Sequence, residues 1–288
     1  MEKQTILVTG ATGNVASQLL PLLKDTPGVT VRALVRDKAK GEKLGVELAV
    51  GDLGDPRSLG KAFEGATTLM AIVPNGPQAP QQASSALWAA KQAGVKRVVR
   101  LSAIGAAHDA PTVNSRLHAL SDHEYSVSGL DYTIMRPHFF MQNLFGSAQS
   151  IANDGVFYMP MGDAKMSMID VGDVAAFAHA LLTKPGHSGK TYTPVGPRSI
   201  SMHEVAAAFT EAVGKPIKYV PVPFEAAIAA MEQAGLDAWT ANLYGEYFRA
   251  YASGWGDFVN DDFQKVVGRA PRSFAEFARS VAPAFGKR

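Results

Sequence analysis

The stretch ILVTGATGNVASQLL, Ile6 to Leu20, decides how the rest of the chain is read. An apolar run of Ile6, Leu7 and Val8 ends at Thr9 and Gly10. After Gly13 a helical pattern begins, with Val15, Leu19, Leu20 and Leu23 on one face. The stretch is a strand, a tight turn and a helix. Gly10 lets the chain turn through dihedrals that other residues avoid, and Gly13 leaves the backbone bare at the helix start. Unsatisfied N–H groups and the positive helix end attract anions, so a diphosphate fits across Gly10, Thr12, Gly13, Asn14 and Val15. The spacing is G-x-x-G-x-x-A, with Thr12 where a central glycine would fall and Ala16 in place of the last one. A glycine pair this close also occurs in ordinary loops, so a second witness is needed.

That witness is Arg36. The run VTVRALVR (Val29 to Arg36) reads as a second strand, and a dinucleotide fold places the residue that meets the adenosine ribose at its end. An acidic residue there suits the 2′-hydroxyl of NAD, and an arginine suits the 2′-phosphate of NADP. Arg36, with Lys38 and Lys40 nearby, points to NADP(H), while Asp37 leaves NAD(H) open. The competing reading makes RDKAK a solvated helix start. After the third strand, VELAVGD, Asp52 is placed to accept from the adenine amine and Leu53 to pack on the ring. Equally, GDLGDP reads as a turn in which Asp55 caps a helix before Pro56.

Strands and helices continue to alternate through ATTLMAIVP, VKRVVRLSA and DYTIMRP, which argues for a doubly wound parallel sheet covered on both faces. Ligand groups are expected at the carboxyl ends of its strands. These ends carry Val73 and Pro74, then Ser102 to Ile104, then Pro137 to Asn143. Beyond Pro137 the alternation fades into mostly helical sequence. SMHEVAAAFTEAVG has Ser201 and Glu204 spaced as a capping box, and Asp170 or Asp173 caps the helix before it. The expected division is a dinucleotide-binding domain over 1–137 and a smaller substrate-binding lobe over 138–288, some of whose segments return to the sheet.

Composition narrows the function. The 288 residues contain 47% hydrophobic and 19% charged residues, an ordinary globular balance, with a formal charge of +2. Lys and Arg are scattered without the stripes of a phosphate-backbone binder, so nucleic acid is not an expected partner. No cysteine is present, which removes thiolate chemistry and cysteine-held metals. The histidines lack the i, i+4 pairing of a zinc helix, and no metal is expected. No apolar run approaches the roughly 20 residues that span a bilayer, and no signal core opens the chain, so the expectation is a soluble cytoplasmic protein. Ser102 lacks the G-x-S-x-G setting of a hydrolase. Oligomeric state is not legible.

Taken together, VTGATGNV, VRD, GDLGD, AGVKRVVRLSAIGA, SGLDYTIMRPHFFMQN, MIDVGDVAAFA, GKTYTPVGP and DDFQKVVGRAPRSFAEFA resemble the NmrA-like group of atypical short-chain dehydrogenases/reductases. That group includes quinone oxidoreductases, azoreductases and triphenylmethane reductases. The resemblance implies a Rossmann-type domain that binds NAD(P) and a smaller, mostly helical C-terminal lobe that helps close a substrate cleft. The Tyr-x-x-x-Lys pair of ordinary short-chain dehydrogenases is absent from the helix after Ser102. His118 and Asp122 stand there at a spacing that shares a helix face, as a candidate catalytic pair or as plain lining groups. Electron-poor acceptors need positioning more than a protein acid, which favours quinones, azo compounds or triarylmethane dyes over a simple ketone. His138, Phe139 and Phe140 are candidate walls for such a small aromatic substrate, or ordinary core contacts. The aromatic run WTANLYGEYFRAYASGW reads as ligand-binding, as a subunit contact or as an amphipathic packed helix. The resemblance also holds alternatives from other classes: a dinucleotide-sensing regulator without turnover, or a reductase of a specialised metabolite.

Overall fold

The computed structural model describes residues 4–286. Its strands are β1 (Gln4–Val8), β2 (Val29–Val35), β3 (Glu47–Val50), β4 (Thr68–Ala71), β5 (Arg97–Leu101), β6 (Asp131–Met135), β7 (Val156–Met159), β8 (Lys165–Met166), β9 (Lys190–Tyr192), β10 (Ile200–Ser201) and β11 (Lys218–Pro221). Seven of them form one sheet in the order β3-β2-β1-β4-β5-β6-β9, every pairing parallel. The order reverses between β1 and β4, and that switch point is where a ligand crevice opens in such sheets. All four residues of β4 are buried, as expected of a strand covered on both faces.

The chain divides into two compact units. One cut falls between Pro137 and His138, but Val174–Thr193 groups with the sheet and Pro111–Val113 with the second unit. Residues 174–193 bring β9, which pairs with β6 through Thr133↔Lys190 to Met135↔Tyr192. The sequence gives this strand little signal: it has three residues, two of them exposed, and Gly186 and Gly189 break the approach to it with φ of 92° and 70°. In the sheet unit the core gathers Leu7, Leu34, Phe63, Leu69, Leu87 and Val98 between strands and helices, with the fully buried Tyr125 among them.

The second unit carries two small sheets, β7 with β11 and β8 with β10, and helices that include Met202–Val213, Phe224–Gln233, Ala238–Ala252 and Phe274–Phe285. Ser201 and Glu204 form the expected capping box, and Gly214 ends that helix in the left-handed region. Asp170 Oδ1 accepts from Gly172 N at 2.6 Å at the start of helix Val171–Thr183. Both Asp170 and Asp173 are buried and each meets an arginine, Arg272 at 3.0 Å and Arg269 at 2.6 Å. Among the described residues no helix is long and apolar enough to cross a membrane, and no three His, Asp or Glu side chains group to hold a metal ion.

Candidate functional site

The site is built on the end of β1. Thr9 is fully buried; its Oγ1 donates to the Ile72 carbonyl at 2.7 Å and accepts from Ile72 N–H at 2.9 Å. This staple fixes the chain after β4 against the chain after β1. Gly10 then turns with φ +58°, and a Cβ there would sit 2.8 Å from Ile72 Cγ2 and 2.9 Å from its carbonyl oxygen. Only glycine accepts both constraints. Gly13 precedes helix Asn14–Lys24 as its N-cap, supplies no side-chain cap, and no acidic residue occupies the first turn. The first amides of an α-helix have no partner within the helix, so this N-terminus is open to an anion.

A groove of about 530 Å³ runs from this turn across β2 and β3, within the sheet unit. Among its walls are Gly10, Thr12, Arg36, Asp52, Leu53 and Pro74, all singled out from the sequence. Gly13, Asn14 and Val15 shape the helix start beside it, Val15 buried and Asn14 exposed. Val73 lies in the core with Leu69 and Phe63 rather than in the groove wall.

Arg36 and Lys40 both face the groove, and among the described residues neither is held in an ion pair. Asp37 lines it as well, yet its Oδ1 accepts from Ala39 N–H at 3.0 Å as the N-cap of the short helix Lys38–Gly41. One oxygen of the acid that would favour a ribose hydroxyl is thus held by the backbone while its Oδ2 keeps its lone pairs, and the two cations stand open. Asp52 Oδ1 accepts from Gly54 N–H at 2.8 Å, and Asp55 caps the turn at Pro56 through Arg57 N–H at 3.2 Å. The turn reading and the groove position of Asp52 hold together. Gln82, from helix Ala79–Gln92, also lines the groove and went unread, because nothing in a polar helix face marks one amide out.

Past the carboxyl ends of β5 and β6 the chemistry changes. His118 and Asp122 do share a face of helix Val113–Ser126, but both are buried in a charge network. Asp122 Oδ1 accepts from Arg100 Nε at 2.8 Å, and Oδ2 accepts from Arg136 Nε at 2.9 Å and Ser102 Oγ at 2.8 Å. Arg100 Nη2 lies 3.2 Å from His118 Nδ1. A guanidinium only donates, so Nδ1 is the acceptor and the imidazole is neutral with its proton on Nε2. Burial, and then the Arg100 charge, push the His118 pKa down to about 3. Arg100 also lies over the Tyr125 ring, 5.1 Å from its centroid, which compensates an Nη1 left without a hydrogen-bond partner. The signal in the sequence was Arg100 itself: a charge in a strand with buried neighbours requires a partner.

In the second unit His138 is 1% exposed. Its Nδ1 accepts from Phe139 N–H at 2.7 Å, so Nε2 donates to the Gly256 carbonyl, 3.1 Å away. Burial outweighs that bond and pushes its pKa down to about 4. The ring stacks on Tyr251 at 5.5 Å and meets Phe258 at 5.6 Å, and Phe139 meets Tyr251 edge-on at 5.8 Å. Tyr247 and Trp255 extend the same stack. His138 and Phe139 are therefore structural members of an aromatic cluster whose partly exposed members are Tyr247, Trp255 and Phe258. Phe140 is half-buried and pairs through its backbone with Ile169.

Comparison with known proteins gives a consistent picture. The model of the NmrA-like family matches residues 2–239. An NAD(P)H azoreductase from Xenophilus azovorans is 41% identical over 284 residues, covering 98% of this chain and 99% of that protein. The structure of the Escherichia coli NADPH-dependent quinone oxidoreductase complexed with NADPH superposes with a TM-score of 0.87 at 27% identity, over 96% of this chain and 99% of the other. The Citrobacter sp. triphenylmethane reductase complexed with NADP(H) does so with a TM-score of 0.86 at 26% identity, over the same shares.

Proposed function

The chain belongs to the NmrA-like family, and from that premise we propose how its own residues serve an NADPH-dependent reductase of conjugated aromatic acceptors. It is an oxidoreductase. One observation carries the cofactor assignment: Arg36 and Lys40 open onto the groove without acidic partners, while Asp37 is tied into a helix cap. We place the 2′-phosphate against those two cations, the adenine over Leu53 with Asp52 beside its amine, and the diphosphate over Gly10 at the bare helix N-terminus. NADPH supplies a hydride when bound.

The acceptor is a small, flat, electron-poor molecule, with azo compounds first, because the azoreductase shares 41% identity, and quinones or triarylmethane dyes next. We assign its rings to Tyr247, Trp255 and Phe258, which offer exposed aromatic surface, with His138 and Phe139 holding the stack together. His118 is neutral and hydrogen-bonded, and Asp122 accepts on both oxygens, so neither is assigned as proton donor. Hydride carries both electrons to the acceptor; for an azo compound or a quinone the balancing proton comes from water, and a triarylmethane cation needs none.

The test is NADPH oxidation by purified protein with azo dyes, quinones and triarylmethane dyes, repeated with NADH. Saturable turnover with at least one class, and preference for NADPH, is the expected result. No turnover with any of the three would overturn the acceptor reading.

A further inference from the structure

Ser102 follows the end of β5 and is 5% exposed. Its Oγ donates to Asp122 Oδ2 at 2.8 Å. Both oxygens of that carboxylate already accept from guanidinium nitrogens, which cannot take a proton in exchange. A serine hydroxyl has one proton and two lone pairs. With the proton held by Asp122, Ser102 offers only lone pairs to any ligand at the sheet edge.

The sheet order places β5 three strands from β2, a spacing of about 14 Å across the carboxyl edge. The groove follows this edge from Arg36 past Gly10 to Pro74, after β4. A dinucleotide laid with its 2′-phosphate at Arg36 carries its nicotinamide half onward toward β5.

We infer that Ser102 accepts a hydrogen bond from the nicotinamide half of NADPH, and that Asp122 is the positioning residue that fixes the hydroxyl in this sense. The inference rests on the cofactor placement proposed above. The donors on that half are the carboxamide N–H groups and the ribose hydroxyls. A serine so held cannot donate to the oxygen or nitrogen of an acceptor, which separates its role from that of a serine whose hydroxyl proton is free.

Dissociation constants measured without any acceptor test this. The probes are NADPH and its reduced 3-acetylpyridine analogue, in which a methyl ketone replaces the carboxamide and deletes its N–H donors. Wild-type protein is expected to bind the analogue about five- to tenfold more weakly, and Ser102→Ala to lose the same factor for NADPH and the preference with it. If Ser102→Ala weakens both cofactors equally, the donor is a ribose hydroxyl and the accepting role stands. If Ser102→Ala binds both as wild type does, the inference is overturned. In Asp122→Asn the side-chain amide can donate to Ser102 and release its proton, so NADPH affinity falls. Unchanged affinity in that variant overturns the role of Asp122. Adenosine 2′,5′-bisphosphate reports the groove separately: binding equal in wild type and Ser102→Ala is expected, and no binding to wild type would sink the cofactor placement itself.

Discussion

The two ends of the sheet edge handle charge in opposite ways. At the β2 end, Arg36 and Lys40 face an open groove without acidic partners. At the carboxyl ends of β5 and β6, Arg100 and Arg136 are bound to Asp122, whose side chain is 4% exposed. The first arrangement leaves cations for a ligand to pair. The second turns charge into rigidity and leaves one hydroxyl with a fixed orientation. A charged residue near a site is therefore a binding group at one end and a scaffold at the other, and only its partners tell which.

The contrast can be broken most severely at Asp122. Asp122→Ala leaves two guanidiniums facing each other without a carboxylate, and is expected to cost about 3–5 kcal/mol of stability. Urea unfolding measures it, and a loss below about 1 kcal/mol would show the network to be loosely held. The open end should respond in affinity and not in stability. Arg36→Ala is expected to weaken NADPH about 10- to 100-fold, the loss of one charged hydrogen-bonding partner, with NADH and the unfolding midpoint unchanged. Equal losses for both cofactors would mean that Arg36 does not meet the 2′-phosphate.

A smaller effect sharpens the comparison through pH. His118 is held near a pKa of about 3 and His138 near about 4, chiefly by burial, against about 6.5 in an unfolded chain. Above that value both forms are neutral and contribute no pH dependence. As pH falls below it, the unfolded chain takes up protons that the folded one refuses, so stability declines toward pH 4, by up to about 1.4 kcal/mol per pH unit for each ring. Urea midpoints at pH 7, 6 and 5 follow the decline, to which His179 and His187, also pushed down by burial, add, and His118→Gln should remove one ring's share of the slope. A slope unaltered by that substitution would mean that His118 is protonated in the fold.

Much of the groove was legible because backbone geometry makes it. Gly10, the bare helix start, Arg36 and the Asp52–Leu53 turn follow from a strand, a turn and a helix only a few residues apart in the chain. The parallel sheet was legible for the same reason, strand by strand, up to β6. The roles of His118, Asp122 and His138 were not, because each depends on partners far along the chain: Arg100 for His118, Arg136 for Asp122, Gly256 for His138. The helical spacing of His118 and Asp122 was read correctly as a shared face, but spacing carries no information on whether that face meets solvent or a buried arginine. Gln82 and β9 escaped for want of any local pattern at all.

Residues Lys190–Tyr192 leave the ribosome more than fifty residues after the strand they cover. At roughly 5–20 residues per second, β6 waits about 3–11 s as a bare edge, a template onto which another nascent chain could pair. Three residues then close it. A strand of three residues thus decides how long the β6 edge of the growing protein is open to its neighbours.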